Sequence, residues 1–438
     1  MGLFSFKGGI HPPHGKTLSK DKAIEPLLPK KDLVFPMSQH IGAPCEPIVK
    51  KGDRVLVGQK IGQATGFVSA PIHSSVSGTV KNVVPMLHPS GKKIMSIVIE
   101  NDGLYEECEF TPHEDYKSLS KDELLKIINE GGIVGLGGAC FPTHVKLSPK
   151  QEIDTIIING AECEPYLTCD YRLLLEKHAE IIEGLEIIKH MFPKANIYIG
   201  IEDNKSDAIS ILQSALEEYK GIEVKSLKTK YPQGAEKQLI YALTKRAVPT
   251  GKLPADVGCI VQNLATIYAI RDVVIKGRPL TDRIVTITGE AVKEPKNLQV
   301  KFGTSLTELV DACGGFKEDP VKVLSGGPMM GMSLISLEVP SIKGTSGVLA
   351  LLKDQADLSE ESNCIRCGRC VTACPMWLVP SKLNSLVLRG EFEEFEKNSG
   401  LSCIECGACS YICPAKRHLT QSCREGKRVI MNNRKKSK

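Results

Sequence analysis

Eight of the sixteen cysteines in this 438-residue chain fall into two runs of one pattern, Cys-x2-Cys-x2-Cys-x3-Cys-Pro. The first run is Cys364, Cys367, Cys370, Cys374 and Pro375; the second, 39 residues on, is Cys403, Cys406, Cys409, Cys413 and Pro414. Thiolates are soft ligands that suit iron–sulfur chemistry, and this spacing is the one that holds two [4Fe–4S] clusters. A zinc site with four cysteines is usually written as two CxxC pairs instead. In such runs three closely spaced cysteines hold one cluster, and the fourth, before proline, reaches across to the other. The expected ligand sets are Cys364, Cys367, Cys370 with Cys413, and Cys403, Cys406, Cys409 with Cys374. The chemistry implied is transfer of single electrons.

A second constellation lies upstream, in "GGIVGLGGACFPTHVKL". Gly135, Gly137 and Gly138 let backbone amides crowd a phosphate or a planar ring, and Lys146 follows where it could meet a phosphate charge. The stretch has neither the strand–GxGxxG–helix context of a dinucleotide fingerprint nor a P-loop ending. The next apolar run, "TIIING", leads into "AECEPYLTCDYR", so Asn159, Glu162, Glu164 and Asp170 gather at a strand's C-terminal end. Two later loops, "YPQGAEKQ" and "VQNLATIYAI", add Gly234, Glu236, Asn263 and Thr266. In open α/β sheets this edge is where ligands bind; an ordinary tight turn with solvated acids is the plainer reading of each loop alone.

The elements that must position these residues divide into five segments. Residues 1–112 carry short alternating strands of a barrel-sandwich kind, with Pro71-Ile72-His73-Ser74 where a carrier domain would place its lysine, hence a structural module rather than a swinging arm. Residues 113–278 alternate strand and helix, which predicts an α/β core, a Rossmann-like domain on a parallel sheet. Its first helix opens on a capping box, Ser120 with Glu123, and "CDYRLLLEKHAEIIEGLEIIKHMF" reads as a long amphipathic helix. Residues 279–350 read as a hairpin, a short helix and a further strand, a β-grasp (SLBB-like) domain. Residues 351–423 form a ferredoxin-like, α-helical two-cluster domain, with a helix between the runs that Ser381 could cap. Residues 424–438 are a basic tail, suited to acidic partners or lipid headgroups, or simply solvated.

Composition narrows the classes. Hydrophobic residues at 42% and charged residues at 24% are ordinary for a globular chain, and 5% aromatic residues argue against a large nucleic-acid surface. No run approaches the roughly 18 apolar residues of a membrane span, and the start lacks a signal-peptide apolar core. Cys140, Cys163 and Cys169 are expected to be small buried thiols, and Met329, Met330 and Met332 to fill a core or an interface.

These segments resemble the NADH- and flavin-binding subunit of respiratory complex I. That family reads GRGGAGFPTG-x-K where this chain has residues 135–144 and Lys146, and Asn-x-Asp-Glu-x-Glu-Pro where it has Asn159 to Pro165. Its Gly-Glu-Glu aligns with Gly234-Ala235-Glu236, and its Asn-Asn-x-x-Thr with Gln262-Asn263-Leu264-Ala265-Thr266. The chain departs at Leu136, Ala161, Ala235 and Gln262, where the family has Arg, Asp, Glu and Asn. With "GGIHPP", the barrel-sandwich segment and the paired cysteine runs, nearly the whole chain resembles the C-subunit family of the Rnf complexes, ion-translocating ferredoxin–NAD+ oxidoreductases. The resemblance implies bound FMN, an NAD(H) site beside it and a peripheral place on the cytoplasmic face of a bacterial membrane. It also implies docking on iron–sulfur and integral membrane subunits. Gly135, Gly137, Gly138 and Lys146 would hold the flavin and its phosphate, Asn159 and Asn263 would hydrogen-bond it, and Glu164 and Glu236 would face the flavin edge or the nicotinamide nucleotide; Glu162, Gly234 and Thr266 belong to the same set. Physical chemistry agrees: nicotinamide moves two electrons as hydride, a cluster moves one, and a flavin can convert between them. A soluble flavin and iron–sulfur reductase, such as a corrin reductase, and a wiring scaffold with a dead nucleotide site stay open as rival readings.

Overall fold

The computed structural model describes residues 4–356 and 358–436. Its N-terminal segment crosses to a distant domain before the first sandwich begins. Strand β1 (Ile24–Leu27) is followed by β2 (Leu33–Pro36), β3 (Glu46–Pro47), β4 (Arg54–Val55), β5 (Lys60–Gln63), β6 (Ile72–His73), β7 (Gly78–Leu87) and β8 (Lys93–Asn101). Two sheets, β2-β8-β7-β4 and β3-β5-β6, face each other across Leu33, Phe35, Val55, Ile61, Ile72 and Ile97. The turn that would expose a carrier lysine is instead interior: Ile72, His73 and Ser74 are all buried. Burial beside the Lys343 ammonium pushes the His73 imidazole down to about 3, so it is a neutral packing group.

The α/β domain runs α1 (Lys121–Glu130), α2 (Thr143–Lys146), β9 (Thr155–Asn159), α3 (Cys169–Met191), β10 (Asn196–Glu202), α4 (Ser206–Ala215), β11 (Ile222–Leu227), α5 (Glu236–Thr244), β12 (Cys259–Asn263) and α6 (Leu264–Ile275). The capping box is present at α1: the Glu123 N–H donates to Ser120 Oγ, and the Ser120 N–H donates to Glu123. All strand pairs are parallel, in the order β11-β10-β9-β12. The near-continuous apolar run of β9 follows from burial on both faces. Ile156 and Ile158 pack with α3, α4 and α6, while Ile157 packs with Leu239 and Ile240 of α5. The long helix α3 is broken once, at Lys177, whose φ of −133° is non-helical.

A six-stranded mixed sheet follows, built from β13 (Asp282–Thr288), β14 (Lys296–Lys301), β15 (Lys322–Ser325), β16 (Met332–Ser333) and β17 (Gly347–Leu351), with α7 (Leu306–Asp311) packed on it. The hairpin β13–β14, the helix and the parallel return β17 give the β-grasp order. The sixth strand is β1, which adds in parallel beside β14. The last domain is helical: α8 (Arg369–Ala373), α9 (Pro380–Leu388), α10 (Phe392–Lys397), α11 (Ala408–Tyr411) and α12 (Leu419–Lys436). Pro380 starts α9 with Val379 at the cap position, so the cap expected of Ser381 is not used. The basic tail, read as a solvated or surface-binding end, continues α12 as far as the described residues go. Ile430 of that stretch is buried with Leu383 and Phe395, as is Cys423 one residue before it begins. Its Lys427 donates to Glu405 Oε1 and to the Cys403 carbonyl, at 2.6 and 2.9 Å. Part of the tail's charge therefore seats the second cysteine run. Among the described residues no helix is long and apolar enough to cross a membrane.

Candidate electron-transfer site

Strand order locates the first half of the site. From β9 the chain winds outward to β10 and β11, then returns to place β12 on the other side of β9. The crevice at such a reversal, beyond the carboxyl ends of the strands, is where open α/β sheets bind ligands. Asn159 and Asn263 end these two strands as direct register partners. The glycine loop covers them. The Leu136 N–H donates to Thr266 Oγ1 at 2.9 Å, and a Cβ on Gly137 would sit 2.7 Å from the Asn263 side chain. Asn159 donates to the Gly234 carbonyl at 2.8 Å, and Asn263 donates to Asp170 Oδ2 at 2.6 Å. Lys146 and Glu236 stand on the rim as an ion pair at 2.5 Å, part-exposed. The space beyond Gly138 is open to 4 Å, and the amide of Gln262 is buried with its nitrogen unpartnered. A backbone cradle, a rim cation and one unspent amide fit a flavin mononucleotide.

Two residues of the expected set face elsewhere. The Glu162 carboxylate accepts the Asp170 and Tyr171 N–H groups at the start of α3, at 2.7 and 3.3 Å. Burial pushes it up to about 7, opposed by the Lys16 ammonium. Glu164 accepts the Met329 and Met330 N–H groups, at 3.1 and 2.8 Å, and burial pushes it to about 7 as well. Both carboxylates are drawn to backbone N–H groups because an enclosed acid must be hydrogen-bonded. Cys140 and Cys169 are buried as expected, and burial pushes all three thiols of this group, Cys163 included, upward. Met330 and Met332 are exposed, unlike core residues, whereas Met329 packs beside Tyr231 and Cys406.

The second half of the site adjoins the first. Cys403, Cys406 and Cys409 of the second run line one cavity together with Cys374 of the first. Four thiols converging from two distant runs suit a cubane cluster, and Gly407, at φ +81°, gives the tight turn between ligands. Cys370 and Cys413 meet around Leu419, while Cys364 and Cys367 lie on an exposed loop. The four-thiol cavity is the one next to the flavin domain. Cys406 packs with Cys163 and Tyr231, and the Gly234 N–H in turn donates to Cys163 Sγ at 3.3 Å. The Gly9 N–H donates to the Ala373 carbonyl and Gln238 donates to the Pro375 carbonyl, which ties the first run's end to the same face.

Sequence reasoning missed three contributors. Lys16 is buried and donates to the carbonyls of Glu162, Glu164 and Leu167, holding the acidic loop from behind. Tyr231 is 1% exposed and donates to the Cys406 carbonyl at 2.7 Å. Cys423 of α12 lines the same cavity as a fifth thiol. Only the "GGIHPP…K" and "YPQG" segments hinted at the first two, and nothing in its spacing marked Cys423.

Comparison with known proteins agrees with this layout. Four family models match in chain order: the RnfC barrel-sandwich hybrid domain over residues 4–104, the Nuo51 FMN-binding domain over 128–272, an SLBB domain over 284–333 and a 4Fe-4S dicluster domain over 363–417. The chain is 50% identical over 403 residues to the C subunit of the proton-translocating ferredoxin:NAD(+) oxidoreductase complex of Clostridium ljungdahlii, covering 91% of this chain and 88% of that one. It is 46% identical over 435 residues to the Na(+)-translocating counterpart of Acetobacterium woodii, covering 99% and 98%. An NAD+-reducing [NiFe]-hydrogenase in the H2-reduced state shares the fold at a TM-score of 0.50 and 16% identity, over 74% of this chain and 63% of that one. On identity of this extent, the chain belongs to the RnfC family, the C subunits of ion-translocating ferredoxin:NAD+ oxidoreductase complexes.

Proposed function

We propose that this chain exchanges hydride between NAD(H) and FMN and passes the electrons singly through two [4Fe–4S] clusters, as a subunit of a ferredoxin:NAD+ oxidoreductase complex. Bound FMN supplies the conversion between two-electron and one-electron chemistry, and the clusters supply the relay. The glycine loop and Lys146 orient the flavin and its phosphate, Asn159, Asn263, Gly234 and Thr266 shape the crevice floor, and Glu236 competes for Lys146 until a phosphate arrives. Orientation, more than proton transfer, is what direct hydride transfer needs. The observation that carries the reading is the abutment of the four-thiol cavity on the switch-point crevice through Cys163, Cys406 and Tyr231.

That abutment supports an order of clusters. The cluster on Cys403, Cys406, Cys409 and Cys374 is proximal to the flavin. The one on Cys364, Cys367, Cys370 and Cys413 is distal, with its exposed loop turned to partners. We assign those partners to iron–sulfur and integral membrane subunits of the complex, with this chain peripheral on the cytoplasmic face. The functional units follow the five segments 1–112, 113–278, 279–350, 351–423 and 424–438. Family membership over nearly the whole chain favours this reading over a free-standing soluble reductase.

The test is anaerobic purification with quantitation. Iron and FMN are expected in a ratio of about eight to one, and NADH should bleach the flavin absorbance. A preparation that binds FMN but is not reduced by NADH would sink the enzyme reading. Lys146→Ala should lower FMN retention, since the phosphate loses its cation.

A further inference from the structure

Glu164 is tied to the second cysteine run by two routes that end on adjacent residues. In the first, Glu164 Oε2 and Oε1 accept the successive Met329 and Met330 N–H groups, pinning the loop that follows β15. A Cβ on Gly327 would collide with Glu164 Oε2, so only glycine lets that loop close over the carboxylate. The Met329 carbonyl then presses on Gly407, where a Cβ would meet it at 2.8 Å. In the second route, Tyr231 Oη lies 3.4 Å from Glu164 Oε1 and donates to the Cys406 carbonyl at 2.7 Å. Cys406 and Gly407 thus receive one contact each from a network centred on a single carboxylate. Cys163, the neighbour of Glu164, packs on Cys406 from the flavin side.

We propose that Glu164 and Tyr231 are positioning residues for electron transfer: they clamp the Cys406–Gly407 turn against the flavin domain and so hold the proximal cluster in register with the flavin. The inference rests on the hydride-to-cluster reading above and extends it, because it removes Glu164 from nucleotide binding and gives it the step after hydride transfer. A carboxylate suits this task, since its two oxygens can take two consecutive N–H donors at once. The clamp joins three domains, with Glu164 and Tyr231 from the α/β domain, Met329 and Met330 from the β-grasp domain and Cys406 from the cluster domain.

The test uses the full-length holoprotein and rapid-mixing spectroscopy, in which flavin bleaching and cluster bleaching by NADH are followed separately. Tyr231→Phe keeps the ring and its packing; Glu164→Ala removes both acceptors; Glu164→Gln restores one. In Tyr231→Phe and Glu164→Ala, FMN content, NADH affinity and flavin bleaching should stay within about twofold of the parent. Cluster reduction should slow by about fivefold or more, the scale set by loss of one buried hydrogen bond. The paramagnetic signal of the proximal cluster should shift as well, and Glu164→Gln should fall between parent and Ala. Weakened NADH or FMN binding with an unchanged cluster step would make Glu164 a nucleotide contact and overturn the proposal. Unchanged kinetics in both variants would overturn it too. Should the parent itself fail to bleach with NADH, the function reading falls, an outcome visible before any variant is compared.

Discussion

At the scale of single residues, two positions carry more than their residue type suggests. Lys16 spends its ammonium on three carbonyls of the acidic loop and stands 3.9 Å from Glu162 Oε2. Removing one member of a buried, hydrogen-bonded charge pair costs about 3–5 kcal/mol, so Lys16→Met should lower the thermal midpoint markedly and release FMN as the loop loosens. Gly137 is constrained from the other side of the crevice, because any Cβ there collides with Asn263. Gly137→Ala should therefore lower the FMN-to-protein ratio severalfold while leaving iron content unchanged, as read by flavin and iron assays on one sample. The cysteine runs were legible because cluster spacing is written locally, within eleven residues each. Asn159 and Asn263 were legible as the ends of apolar strands. Glu164 was not, since its partners Met329 and Met330 lie 165 residues and more away and offer backbone, not side chains.

Among the elements, the junction of the three larger domains turns on one lysine. The Lys343 ammonium, 1% exposed, donates to the Pro71 carbonyl of the sandwich and the Gly132 carbonyl before the glycine loop, each at 2.7 Å. Burial pushes it down to about 8, with Cys45 and Cys140 acting weakly the other way; His40 and His73 face it as neutral rings. Above about pH 8 the folded chain releases this proton while the unfolded chain keeps it until about pH 10.5. Folding stability from this group thus rises across that window and is lost again as pH falls back to about 8. Compared with Lys343→Met, the parent should gain about 3 kcal/mol between pH 8 and 10.5, measurable as a pH-dependent difference in thermal midpoints. Sequence patterning reads such a lysine as surface, because lysines are rarely buried; only the assembled junction shows what encloses it. Helix α12 was hidden for the mirror-image reason. Its basic face looked like a free tail, while Cys423 and Ile430 supply the apolar side that packs on α9.

In the whole molecule, the parallel sheet with its flanking helices has a large apolar core of its own, whereas the cluster domain is small and draws thiols from both cysteine runs into one cavity. Metal binding and folding are linked where ligands are drawn from separate segments. Anaerobic chelation of iron should therefore raise amide hydrogen exchange across α8, α11 and the turn at Cys406, with the β9–β12 sheet protected as before. Exchange that rose equally in both regions would contradict the separation of cores. The placement of Cys374 beside the second run has a consequence for biogenesis. On the ligand sets proposed above, a ribosome that has made only the first run has made neither complete set, because each borrows its fourth cysteine from the other run. The proximal set would then be complete only once Cys409 has been made, and the distal set only at Cys413. By that time the flavin domain, which lies earlier in the chain, has already emerged and can serve as the surface on which the proximal cluster is built.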